Sequence, residues 1–96
     1  MADMSNSKYV GKWRISYVTV LGNTEPLTVE NTLDLKADGT ALQSSENGED
    51  VKAYIWKETD YGVFLDGKSD MKLTADGDIL KTKLFGFVTL NFERKQ

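Results

Sequence analysis

The feature that most constrains this chain is a two-residue alternation of bulky apolar and polar side chains, repeated in short runs separated by turns. Successive side chains on a strand point to opposite faces, so alternation commits one face of each run to a shared interior and the other to water. Tyr9, Trp13, Ile15 and Tyr17 share one parity, with Lys12, Arg14 and Ser16 on the other. The pattern returns at Leu33 and Leu35, at Val63 and Leu65 opposite Phe64, and at Met71 and Leu73. Leu80 and Leu84 stand against Lys81 and Lys83, and Val88, Leu90 and Phe92 stand against Thr89, Asn91 and Glu93. The apolar parity switches at Val18 and Val20, the signature of a bulge or of a strand end buried on both sides.

Two runs are less regular. Residues 40–45 offer Leu42 as their one firm core residue. Residues 51–58 are apolar on both parities: Val51, Ala53 and Ile55 on one, Tyr54 and Trp56 on the other. Residues 21–26 collect glycine, asparagine and the only proline and read as a loop, with Pro26 able to open a single helical turn through about residue 31. No run shows the 3.6-residue period of a long helix.

Asp38-Gly39 and Asp76-Gly77 each sit between alternating runs, a strong hairpin signal because glycine accepts positive φ. The segments 33–42 and 71–80 echo one another, as two hairpins meeting the same turn demand would. Connections this short force sequential strands to be antiparallel neighbours. The expected fold is all-β, a single antiparallel up-and-down meander of about eight short strands forming a barrel or half-barrel. With 96 residues there is room for one core, placed in residues 9–96 behind a polar, flexible tail, residues 1–8.

Composition narrows function mainly by exclusion. The chain has no histidine and no cysteine, which removes imidazole bases, thiol chemistry and disulfides. The acidic residues Glu46, Glu49 and Asp50, and Asp66 and Asp70, lack the residue order of a calcium loop, so neither a metal nor a cofactor is expected. Serines and threonines have no partner to activate them, and carboxylates lie on turns or wet faces, so no catalytic residue is assigned and the domain is expected not to be an enzyme. A net charge of −3 with interspersed signs gives no footprint for nucleic acid. No apolar run has the length of a transmembrane segment, and the start lacks the order of a signal peptide.

Aromatic residues are the richest material. Tyr17, Tyr54, Trp56 and Phe64 can form the wall of a mouth for a small apolar or sugar-like molecule, or can be core on both sides of a curved strand. At Phe85-Gly86-Phe87 a hairpin tip carries two phenylalanines, which either fold back over the barrel end or form a contact surface. A half-open barrel would also leave a free edge strand, and edge and tip together would support a protein–protein or homodimer contact.

Gly11-Lys12-Trp13 at the start of the first strand resembles the opening of the lipocalin and fatty-acid-binding protein group, the calycins. Leu35-Lys36-Ala37-Asp38-Gly39-Thr40, Tyr54-Ile55-Trp56, the stretch 73–78 and the ending Leu90-Asn91-Phe92-Glu93-Arg94 extend the likeness to the small lipocalin-like domains of bacterial envelope proteins. The resemblance implies an extracytoplasmic, noncatalytic binding or interaction module, in most such domains without an established ligand. It also implies that Trp13 closes the barrel base under a terminal arginine, a place Arg94, Arg14 or Lys95 could take. Glycine at position 11 would let a neighbouring backbone approach. The chain is shorter than full lipocalins, which limits any cavity.

Overall fold

A computed structural model describes residues 6–27, 31–45, 51–67, 70–84 and 86–95. Nine strands follow in chain order: β1 (Gly11–Val20), β2 (Asn23–Pro26), β3 (Thr32–Leu35), β4 (Thr40–Ser44), β5 (Lys52–Glu58), β6 (Gly62–Asp66), β7 (Met71–Asp76), β8 (Ile79–Leu84) and β9 (Val88–Arg94). Every pairing is antiparallel, and no helix occurs among the described residues. From β3 to β9 each strand pairs with the next, and β9 returns to β1, which also pairs with β3. Eight strands thus close into an up-and-down barrel, with β2 as one extra strand on β1.

β1 makes closure work by serving three neighbours. Along one edge it pairs with β9 from Trp13↔Arg94 to Val20↔Val88. Along the other it pairs with β3 through Gly11 to Arg14 and with β2 through Tyr17 to Val20. The loop expected at 21–26 is therefore a hairpin, and Pro26 ends a strand rather than opening a helical turn; residues 28–30 lie outside the described residues. A proline at the end of an exposed edge strand costs no ladder bond.

The inward stripe fills the interior. Leu33, Leu35, Val63, Leu65, Leu73, Leu80 and Trp56 are each at most 1% exposed, joined by Tyr9, Trp13, Ile15, Ala41, Tyr54 and Phe92. Each fully buried leucine contributes about 1.5–3 kcal/mol relative to an exposed one. On β5 the pairing resolves the two-sided pattern: Tyr54 and Trp56 face in, while Ile55 (66% exposed) faces out, and Val51, just before the strand, is 54% exposed.

Two residues sit on the opposite side from the one their parity indicated. Tyr17 faces outward, 44% exposed, because the β1–β9 register slips between Ile15 and Tyr17. Ser16 is the extra residue of that bulge, so the parity flips before Tyr17, and Val18 takes the inner side. Leu42 is only partly buried and faces outward beside Ala53, whereas Ala41 is fully buried. Ala41 lies between the buried Leu35 on β3 and Tyr54 on β5, whereas Leu42 lies between Asp34 and the exposed Ala53.

The turns lock onto this core. In the β3–β4 turn, Asp38 Oδ1 accepts the Thr40 hydroxyl at 2.6 Å and the Thr40 amide at 2.9 Å. These bonds, the hydroxyl's first, hold the Asp38 carboxyl below its ordinary value, with a smaller contribution from the Lys36 charge. The turn carbonyls are used as well: Lys36 O accepts the Trp56 indole N–H at 2.9 Å and Gly39 O accepts the Trp56 amide at 2.9 Å.

The β1–β2 turn carries strain. Leu21 and Gly22 both take positive φ, 51° and 83°, the conformation of a type I′ two-residue hairpin. Asparagine is favoured at the first position, and a leucine there costs about 1–2 kcal/mol. Leu21 is also 77% exposed, so its side chain recovers little by burial. Leu21→Asn is expected to raise the stability by about 1 kcal/mol, read as a higher urea midpoint; an unchanged or lower midpoint would remove the strain from the account.

Candidate functional site

The two ends and the wall of the barrel offer different chemistry, and the base is the most tightly built. Trp13 points inward at the start of β1, 3% exposed, and its indole N–H donates to Tyr9 O at 3.0 Å. Arg94, directly across on β9, stacks its guanidinium 4.5 Å from the indole centroid. Arg94 Nη1 donates to Val10 O at 2.8 Å and Nη2 donates to Lys8 O. The arginine thus ties the last strand to the segment preceding the first, adding a cation–π attraction of about 0.5–1 kcal/mol where exposed. Of the three basic residues the sequence offered, Arg94 occupies this place.

Gly11 follows from the same geometry. Its φ is 134°, and a Cβ there would lie 2.8 Å from Arg94 Nη1. What approaches Gly11 is therefore the guanidinium, not a neighbouring backbone. Ser7 closes the base on the other side, its hydroxyl donating to Glu58 Oε1 at 2.5 Å. With Trp13 and Arg94 bonded to the segment before β1, the core of the base is a structural plug, beside which a shallow cavity of about 530 Å³ lies between that segment and the β7–β8 turn.

The wall opens between β7 and β8. Gly77, at φ 61°, and Asp78 form a two-residue turn from which the ladder runs through Asp76↔Ile79, Ala75↔Leu80 and Thr74↔Lys81, and there it stops. Residues 71–73 and 82–84 are all described, and no pair joins them across the seam. Each set remains paired on its other side, to β6 and to β9. A cleft of about 1010 Å³ lies at this opening. Met71, Thr82 and Leu84 come to it from the inward parity, whereas Lys72, Thr74, Lys81, Lys83, Thr89 and Asn91 come from the outward one. The cleft therefore joins the upper interior to the outer surface.

One polar group is fixed there. Asn91, 8% exposed, fills the space left by the Ser16 bulge, its Nδ2 donating to Tyr17 O at 3.2 Å and to Thr19 Oγ1 at 3.3 Å. Lys81 is held by Asp76 at 3.0 Å, an exposed pair worth at most about 1 kcal/mol. Lys72 reaches within 6.0 Å of the Tyr61 ring centroid.

The four residues predicted as a binding wall do not converge. Phe64 lines the cleft, under Lys57 at 5.5 Å. Tyr54 is buried and its hydroxyl donates to Gln43 Oε1 at 3.3 Å, Trp56 is packed beneath the β3–β4 turn, and Tyr17 is outside the barrel. Of the tip, Phe85 lies outside the described residues; Phe87 is 53% exposed, and its carbonyl accepts the Leu21 amide at 3.2 Å, joining two hairpin tips at the upper end. Closure removes the free edge of a half-barrel, leaving that of β2, whose four residues are exposed and include Glu25 and Pro26. Charge and proline are common means of blunting an edge.

Sequence reasoning passed over Met71, Lys72, Thr82 and Lys83 as cleft residues. A signal was present: a two-residue turn at Gly77-Asp78, counted outward, sets Lys72 opposite Lys83. Among the described residues no group of three or more acidic side chains is placed to hold a metal ion, and no helix is long and apolar enough to cross a membrane. Comparison with protein-family models, with curated proteins and with solved structures found no match.

Trp13→Ala is expected to cost about 3–5 kcal/mol in chemical denaturation, the range for deleting a large core aromatic. A midpoint within experimental scatter of the wild type would show that the base does not depend on the indole.

Proposed function

We propose that this domain is a noncatalytic, lipocalin-like binding module that takes a small molecule with an apolar part in the β7–β8 cleft. The single observation that supports it is the interrupted ladder: β7 and β8 are unpaired beyond Thr74↔Lys81, and there a cleft with apolar Met71, Leu84 and Phe64 meets hydroxyls and amines. An eight-stranded barrel has just enough interior for its own side chains, and here the lower interior is filled. The wall is thus the better place for a ligand than a central chamber, and the mouth expected from Tyr17, Tyr54 and Trp56 gives way to the cleft that Phe64 borders.

The lipocalin-like part of the proposal draws on the up-and-down order and on Trp13 capped by Arg94 beside Gly11. The bacterial envelope setting draws on the resemblance in sequence alone. Self-association, the other reading, has less support, since β1 and β9 close the ring and β2 is short.

Octyl glucoside, neutral and with a sugar head, is a suitable first probe below its micellar concentration. Titration followed by methyl and amide NMR is expected to shift Met71, Thr82, Leu84 and Asn91 together, with Leu33 and Leu35 unmoved. Absence of shifts at the cleft, or shifts centred on the base, would contradict the proposal.

A further inference from the structure

The seam stops where its charges would collide. Below the opening, the outward faces of β7 and β8 carry opposite charges, and Lys81 reaches diagonally to Asp76 at 3.0 Å. Continuing the same register upward would pair Leu73 with Thr82 and then Lys72 directly with Lys83. Like charges directly opposite on an antiparallel pair are destabilising, by a few tenths to about 1 kcal/mol. Both lysines are exposed and both line the cleft. In a chain of net charge −3, the cleft gathers three lysines against one acid, Asp70, among its lining residues. Lys81 is committed to Asp76, and Lys72 lies 6.0 Å from the Tyr61 ring centroid, a contact that brings no counter-charge, so Lys72 and Lys83 are two cations lining one opening.

We infer that the cleft takes a phosphate-type anionic group between Lys72 and Lys83, one ammonium from each side of the seam. The inference rests on the reading of the cleft as the ligand site and names the charged part of what enters it. A tetrahedral anion carries oxygens enough to meet two ammonium groups at once, and lysine binds phosphate as a point charge. Thr74 and Thr89, on the same outward parity, supply hydroxyls beside it. Any apolar chain on the ligand then runs inward past Met71 and Leu84. The anion replaces a repulsion across the seam with two attractions.

Octyl phosphate and octyl glucoside, with the same tail, separate the two ideas by calorimetry at low ionic strength, where exposed charges are least screened. Octyl phosphate is expected to bind about tenfold tighter to the wild type, and the preference to vanish in both Lys72→Glu and Lys83→Glu. Each single reversal places opposite charges across the seam, so each is also expected to raise the denaturation midpoint of the free protein, whereas the double reversal restores repulsion and lowers it again. Equal binding of the two amphiphiles, or a preference that survives both reversals, overturns the inference and leaves the cleft reading standing. No binding of either amphiphile defeats both. Inorganic phosphate is the third probe: competition with octyl phosphate assigns recognition to the anion alone, and failure to compete assigns it to the anion with its chain, either result supporting the lysine pair when the reversals abolish the preference.

Discussion

The pairing of β1 with β9 is the constraint on which the rest of the structure depends. It joins the two ends of the meander, and it pairs with each other the two edges that an open sheet would leave as liabilities. The same pairing carries Trp13 opposite Arg94, so closure and the plug at the base are one set of contacts. It also carries the one irregularity closure needs. The Ser16 bulge bends β1, releases its upper half to pair with β2, and leaves a gap in the ladder that the Asn91 amide fills. Bulges commonly supply such bends at barrel rims.

Closure with eight strands has a further consequence. The ring is narrow, its strands are short, and leucines with Trp56 and Phe92 occupy the lower interior. Cohesion is concentrated there, where indole, guanidinium and turn carbonyls are mutually satisfied. The upper β7–β8 seam, by contrast, carries matching charges on facing strands. Local choices that agree with the global fold at the base and conflict with it at one place in the wall are the pattern expected when that place is used.

Much of this was written in the alternation. The inner faces of β3, β6, β7, β8 and β9 follow directly from period two, and the short turns force the meander. Trp13 was legible for the same reason, whereas its arginine partner came from the resemblance to calycins, which left Arg94, Arg14 and Lys95 open, and the structure places Arg94 there. Other residues were not legible, because their placement depends on a neighbour. Ala41 is inside and Leu42 outside because the register sets Ala41 against the buried Leu35 and Tyr54 and Leu42 against Asp34 and Ala53, which no reading of β4 by itself reveals. Tyr17 lies outside through a one-residue slip against β9, and one slip inverts every later side chain. β2 was hidden by turn-forming residues that here make an exposed edge strand. The cleft is a relation between two strands, and aromatic content pointed away from it.

Amide hydrogen exchange in the free protein measures the central claim most directly, that the ring is closed at its base and unpaired at the upper β7–β8 seam. Amides of Ile15, Leu33, Leu35 and Phe92 should exchange only by global unfolding, and those of residues 71–73 and 82–84 that face the seam should exchange by far faster local routes. Equal protection at seam and base would mean that the ladder runs the full length of both strands, and the account of an open wall would be wrong.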